Sequence, residues 1–161
     1  MAENNAEAKP VTSKVEILDR NPVAVGIILD PLERILLQKK DGGYPWLPNK
    51  WAFAGGAIEN GEDAKEAYIR EMEEELGIKQ DNIQLFGVWQ MRDHNEIDNR
   101  IRVYDAHVFS SRFDGDLSKI KIKEGNGIAL FTISEIDSHP VYWGCKHIIE
   151  KFYLSLLEKR S

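Results

Sequence analysis

Three glutamates in the segment IREMEEELGI (69–78) have the spacing to do chemistry together. On a helix, Glu71, Glu74 and Glu75 stand at i, i+3 and i+4 and share one face, whereas Glu73 points elsewhere. Gly77 then closes the helix, which leaves the acids in its last turns. That end of a helix carries partial negative charge, so each acid there costs roughly 0.3–1 kcal/mol. Like-charged neighbours at helical spacing add about 0.2–0.5 kcal/mol per pair. A positive partner is therefore expected. Convergent carboxylates suit a hard divalent cation, which takes oxygen ligands and leaves positions for substrate phosphates. Arg70, four residues after Glu66 and four before Glu74, can hold carboxylates through its fork of N–H donors. A solvated acidic helix face is the alternative for such a run.

The elements around this cluster must position it. The stretch 21–29 is rich in β-branched residues, a DPLE turn follows, and 34–40 is a second strand, so the two read as a hairpin. Residues 41–50 form a loop containing Tyr44 and Trp46, and 51–56 is a short strand ending in Gly55 and Gly56. The first helix starts near Asp63, which has capping-box spacing to Glu66. Ala64, Ala67, Tyr68, Ile69, Met72 and Leu76 can face a core. Strands are predicted over 83–92, 100–110 and 127–133, and a last helix over about 142–159. Two helices in a β-rich order predict an α+β fold with a mixed sheet. Residues 1–14 read as a mobile tail and 15–161 as one domain.

At 161 residues the chain is long enough for its own core. A formal charge of −6 argues against a protein that coats nucleic acid and means that a polyanionic substrate would need a cation. One cysteine excludes an internal disulfide, and no apolar run is long enough to cross a bilayer, so the expected home is the cytoplasm. His94, His107, His139 and His147 lack metal-ligand spacing.

The frame Gly56, five residues, Glu62, seven residues, then Arg70-Glu71-Met72-Glu73-Glu74-Glu75-Leu76-Gly77-Ile78 resembles the Nudix box, G-x5-E-x7-R-E-U-x-E-E-x-G-U, with U aliphatic. Nine defined positions over 23 residues all match, which sets this frame apart from a lone glycine motif. Upstream, WAFAGGAIENGE resembles the family's W-x-x-P-G-G-x-x-E-x-G-E, with Ala54 in place of the commoner proline, a change expected to relax a turn and leave the chemistry in place. The likeness covers roughly 21–159 and implies a Nudix-type α/β/α sandwich.

The resemblance implies a Mg²⁺- or Mn²⁺-dependent hydrolase that cleaves a diphosphate linkage in a nucleotide-derived small molecule. It implies metal ligation by Glu71, Glu74, Glu75 and the Gly55 carbonyl, support from Glu62, and Arg70 as the group that orients the glutamates. The general base is Glu74 or a loop glutamate, for which Glu124 is the candidate. Lys39 or Lys40 can meet phosphate. Tyr44 or Trp46 can stack on a base or serve as a buried anchor. Trp89, Met91 and Arg92 can line the substrate pocket. The chain leans toward ADP-ribose or a nucleotide sugar as substrate. A nucleoside triphosphate, including an oxidised one, a dinucleoside polyphosphate, or a non-catalytic nucleotide-binding module are the alternatives. The family is often dimeric, so a homodimer is open.

Overall fold

A computed structural model describes residues 15–43, 45–121 and 127–160; the tail read over 1–14, Tyr44 and Glu124 lie outside these residues. The chain runs β1 (Ile17–Asp19), β2 (Val23–Leu29), β3 (Ile35–Lys39), β4 (Trp51–Ala52), β5 (Ala54–Ala57), α1 (Ala64–Glu75), β6 (Asp81–His94), β7 (Ile101–Arg112), β8 (Gly127–Phe131), α2 (Ile133–Asp137) and α3 (Trp143–Arg160). All the described strands join one mixed sheet.

The apolar run VAVGIIL becomes β2, which is buried on both faces and lies inside the sheet. One edge of β2 pairs in parallel with β7, from Val23↔Ala106 to Leu29↔Arg112. Its other edge is divided: Ile28 and Leu29 pair with Leu36 and Ile35 of β3, while Val23–Gly26 pairs with β5. The predicted hairpin is present, and its turn is held by Asp30. The Asp30 carboxylate accepts from the Leu32 and Arg34 amides at 3.1 and 2.7 Å and from Arg34 Nε at 2.8 Å. Beyond the turn, β3 pairs with β8 and β4, so the sheet opens between β3 and β5.

Helix α1 covers one face. Ala67, Tyr68, Met72 and Leu76 pack on Ala24, Ile28, Leu36 and Ala54. Helix α3 covers the other, with Ile148, Ile149 and Phe152 against Ile27, Leu29, Ile35 and Leu37. The result is the α/β/α sandwich expected. Each fully buried aliphatic side chain contributes about 1.5–3 kcal/mol, so both layers are strongly held. No described helix is long and apolar enough to cross a membrane.

Local signals translate directly at α1. Asp63 accepts from the Glu66 amide at 2.8 Å, and Glu66 accepts from the Asp63 amide at 2.9 Å. Gly77 ends the helix with φ +64° and donates to the Met72 and Glu73 carbonyls. Three expectations change. Ile69 is 44% exposed, because Tyr68 and Met72 define the inner face and residue 69 is turned about 100° away from Tyr68 around the helix. Strand β8 stops at Phe131, because Thr132 and Glu135 form a second capping box that starts α2, so the described residues hold three α-helices. A short strand outside the predicted ones, β1, is present through its parallel pairing with β7.

Candidate active site

The carboxylates of α1 meet the sheet at the two glycines of β5. Gly55 donates its N–H to Glu75 Oε1 at 3.1 Å, and Glu75 is 8% exposed. A Cβ on Gly56 would lie 2.6 Å from the Glu71 carboxyl carbon, so the absence of a side chain makes the cradle for that carboxylate. At Gly55, φ is +145° and a Cβ would lie 2.1 Å from the Ala24 carbonyl oxygen, so only glycine is unstrained there. Ala54 is buried at the start of β5 in register with Gly26.

Arg70 supplies the positive charge that the acidic helix end requires. Its Nε and Nη2 grip Glu62 at 2.7 and 2.9 Å, and Nη2 also reaches the Ala57 carbonyl at 3.1 Å. Nη1 is shared between Glu71 Oε1 at 3.0 Å and Glu74 Oε1 at 3.1 Å. One guanidinium thus ties the loop before α1, the end of β5 and two of the three helix carboxylates. Glu62 also accepts from the Glu59 amide at 2.9 Å. The hydrogen bonds from Arg70, and then that amide, hold the Glu62 carboxyl down to about 2. Glu62 in turn raises the pKa of Arg70 further, with Glu74 and Glu71 adding to it. Glu73 is exposed, off the shared face. Among the described residues, no three His, Cys, Asp or Glu side chains form a closed metal centre, since Glu71 and Glu74 turn to Arg70 and Glu75 to Gly55.

On the α3 side of β5 lies a small cleft of about 70 Å³ that opens to solvent. Gly55 and Gly56 contribute to its wall, so two residues of bare backbone separate the cleft from the carboxylates. Its cations are Arg20, Lys40 and Arg102. Lys39, at the end of β3, is not in the lining, whereas Lys40 is. Arg92 is exposed and outside the lining, because strand alternation sends Met91 and Asp93 inward and Arg92 outward. Trp46 is partly buried against the core, with the Arg102 guanidinium 4.6 Å and that of Arg100 5.5 Å from its ring centre.

Sequence reasoning missed the far wall of this cleft. Asp93, 1% exposed, accepts from Arg102 Nε at 2.8 Å and from the Tyr142 hydroxyl at 2.6 Å. Burial, then the Asp93 charge, pushes the Tyr104 and Tyr142 hydroxyls upward. Burial likewise pushes the Cys145 thiol up to about 12. A usable signal was present in β7: Arg102, Tyr104 and Ala106 alternate onto one face, and an arginine in that inward series is unusual.

Comparison with known proteins accounts for both the fold and the frame. A stretch of 68 residues is 37% identical to a prenyl-diphosphate phosphatase of Methanosarcina mazei and covers 42% of this chain and 40% of that protein. Another of 64 residues is 38% identical to an 8-oxo-dGTP diphosphatase of Escherichia coli and covers 40% and 49%. The matches span less than half the length of these relatives. Among solved structures, the E. coli dihydroneopterin triphosphate pyrophosphohydrolase superposes with a TM-score of 0.68 at 16% identity, covering 87% of this chain and 99% of that one. A MutT protein from Methanosarcina mazei gives 0.66 at 17%, covering 89% and 98%. Both share the fold. The model of the NUDIX domain matches residues 19–152, from the end of β1 into α3, and the chain belongs to that family.

Proposed function

We propose that the protein hydrolyses the diphosphate linkage of a nucleoside diphosphate derivative with the help of Mg²⁺ or Mn²⁺. The observation that supports this most is the junction at Gly55 and Gly56, which brings the Glu75 and Glu71 carboxylates to the back of a cleft walled by Arg20, Lys40 and Arg102. Divalent metals are general to the family, and the residues present fit one. The donors are hard carboxylate oxygens, and Gly56 leaves the room a Cβ would fill. Glu71, Glu74, Glu75 and the Gly55 carbonyl would hold the ion. When bound, it would neutralise phosphate oxygens and acidify a water.

The remaining work falls to the chain. Arg70 holds Glu71 and Glu74 side by side despite their like charge. Glu62 fixes Arg70 from the other side. Water adds to one phosphorus, the bridging P–O bond breaks, and two monophosphate esters leave. Glu74, 53% exposed beside Arg70, takes the water's proton, or Glu124 does so as the second candidate base. The apolar and aromatic lining of the cleft offers a place for the nucleoside. ADP-ribose or a nucleotide sugar is the favoured substrate. A nucleoside triphosphate is the second reading, supported by the 8-oxo-dGTP diphosphatase among the relatives. A module that binds without cleaving is disfavoured, because every box carboxylate is kept.

The test is release of phosphate or mononucleotide over a panel of ADP-ribose, its 2′- and 3′-phosphates, nucleotide sugars, triphosphates and dinucleoside polyphosphates, with Mg²⁺, Mn²⁺ or EDTA. Turnover with metal and none in EDTA is expected. Full turnover in EDTA, or binding without turnover across the panel, would overturn the proposal.

A further inference from the structure

The arginines of this chain are not equivalent. Arg34, Arg70, Arg100, Arg102, Arg112 and Arg160 each pair with a carboxylate. Arg20 has no carboxylate partner among the described residues, yet it lines the cleft. Its backbone is fixed, since the Arg20 N–H donates to the Val103 carbonyl at 2.9 Å. Its guanidinium lies 4.8 Å from the ring centre of Tyr104, which is itself buried and cannot move aside. Stacking on a ring uses the face of a guanidinium and leaves its N–H edge directed outward, where it can grip a phosphate through two parallel hydrogen bonds. Arg102, by contrast, already donates to Asp93.

Strand register places Arg20 relative to the carboxylates. Gly55 stands opposite Val25, and Val25 opposite Val108. Tyr104 precedes Val108 by four residues on β7, or about 13 Å of strand. Both levels belong to one continuous cleft. A ligand whose diphosphate lies over Gly55 and Gly56 can therefore run its nucleoside along the cleft toward Arg20.

We propose that Arg20 is a specificity residue for a second anionic group, a phosphate monoester carried on the nucleoside of the substrate. This rests on the diphosphate hydrolase reading for the orientation of the ligand, and it narrows the substrate class to nucleoside diphosphate derivatives phosphorylated on the ribose. Tyr104 acts through Arg20 as a positioning residue.

The test uses ligands with no anhydride bond to cleave. Calorimetry compares adenosine 5′-monophosphate with adenosine 2′,5′- and 3′,5′-bisphosphate on the full chain in Mg²⁺. One bisphosphate isomer should bind at least about tenfold more tightly than the monophosphate. In Arg20→Gln that ratio should fall to within about twofold, and Arg20→Lys, which keeps the charge but not the fork, should lie between. Three results overturn the proposal: a parent ratio within about twofold for both isomers, a ratio that survives in Arg20→Gln, or no detectable binding of any of the three ligands. Should Arg20→Gln fail to fold, the parent ratio and Arg20→Lys still decide. Turnover on the diphosphate panel with equal binding of these ligands sinks the Arg20 subsite and leaves the hydrolase standing. A tenfold ratio with no turnover does the reverse.

Discussion

Gly56 and Glu71 approach so closely that a methyl group on residue 56 would sit 2.6 Å from the Glu71 carboxyl carbon. The neighbour is the far end of a side chain, so it can swing away at little cost to the fold. Its position, however, is what the proposed chemistry uses. Gly56→Ala is expected to stay within about 1 kcal/mol of the parent in stability while losing about 10²-fold in turnover. Gly55→Ala meets backbone instead and a φ of +145°, and should cost about 1–3 kcal/mol. Thermal melts beside activity assays separate the two, and parent-like activity in Gly56→Ala would remove Glu71 from the site.

Glu74 and Glu73 are neighbours in sequence with different surroundings. Glu74 is bonded to Arg70, and Glu73 is exposed on another face. In Glu74→Gln the lost Arg70 contact offsets the relief of repulsion at the helix end, so stability should change by less than about 1 kcal/mol. Its kcat should fall by roughly 10²–10⁴. Glu73→Gln should remain within about threefold of the parent in kcat. Equal losses in both variants would mean a generically acidic helix.

Glu62 carries a pH signature. Its carboxyl sits at about 2 in the folded protein against an ordinary 4.5, so the unfolded chain takes up this proton first as pH falls. The stabilisation is complete above pH 4.5 and disappears as pH drops through about 2. The Tm difference between parent and Glu62→Gln should therefore be flat from about pH 7 to 5 and shrink below pH 4.5. A difference that grows toward low pH would contradict the Arg70 anchor.

Metal should stabilise the folded chain in proportion to its occupancy. An ion that binds only the folded carboxylate cluster contributes about 2.7 kcal/mol at a hundred times its Kd. For a domain of this size that is a rise in Tm of about 5–10 °C. Glu75→Gln, which alters the carboxylate bonded to Gly55, should reduce the rise. Differential scanning calorimetry across a Mg²⁺ titration measures it, and a flat Tm in the parent at saturating Mg²⁺ would count against the ligand set.

Much of this protein is written in short-range pattern. The capping pair Asp63 and Glu66, the closing Gly77 and the i, i+3, i+4 spacing of Glu71, Glu74 and Glu75 are properties of one helix, and helical geometry reads them without help from the rest of the chain. The Asp30 turn and the apolar run of β2 are similarly local, and the box identifies the family because its positions lie on one strand end and the loop and helix that follow it. The Thr132 and Glu135 capping box is equally local, and the strand predicted over 127–133 runs past it because the apolar run before it hides the boundary.

Other features depend on residues far apart in sequence, and only the sheet register brings them together. The Gly55 amide reaches Glu75 because β5 pairs with β2 beneath α1. Asp93, Arg102 and Tyr142 meet because β6, β7 and the start of α3 converge on one end of the cleft. Whether Met91 or Arg92 faces the cleft is a question of strand parity, which the sequence of β6 leaves undecided until its pairing with β7 sets which face is buried. Arg20 looks like any surface arginine in the sequence. It becomes a cleft residue because the chain beside β7 lays it over Tyr104, a contact between residues 84 positions apart that no local propensity encodes.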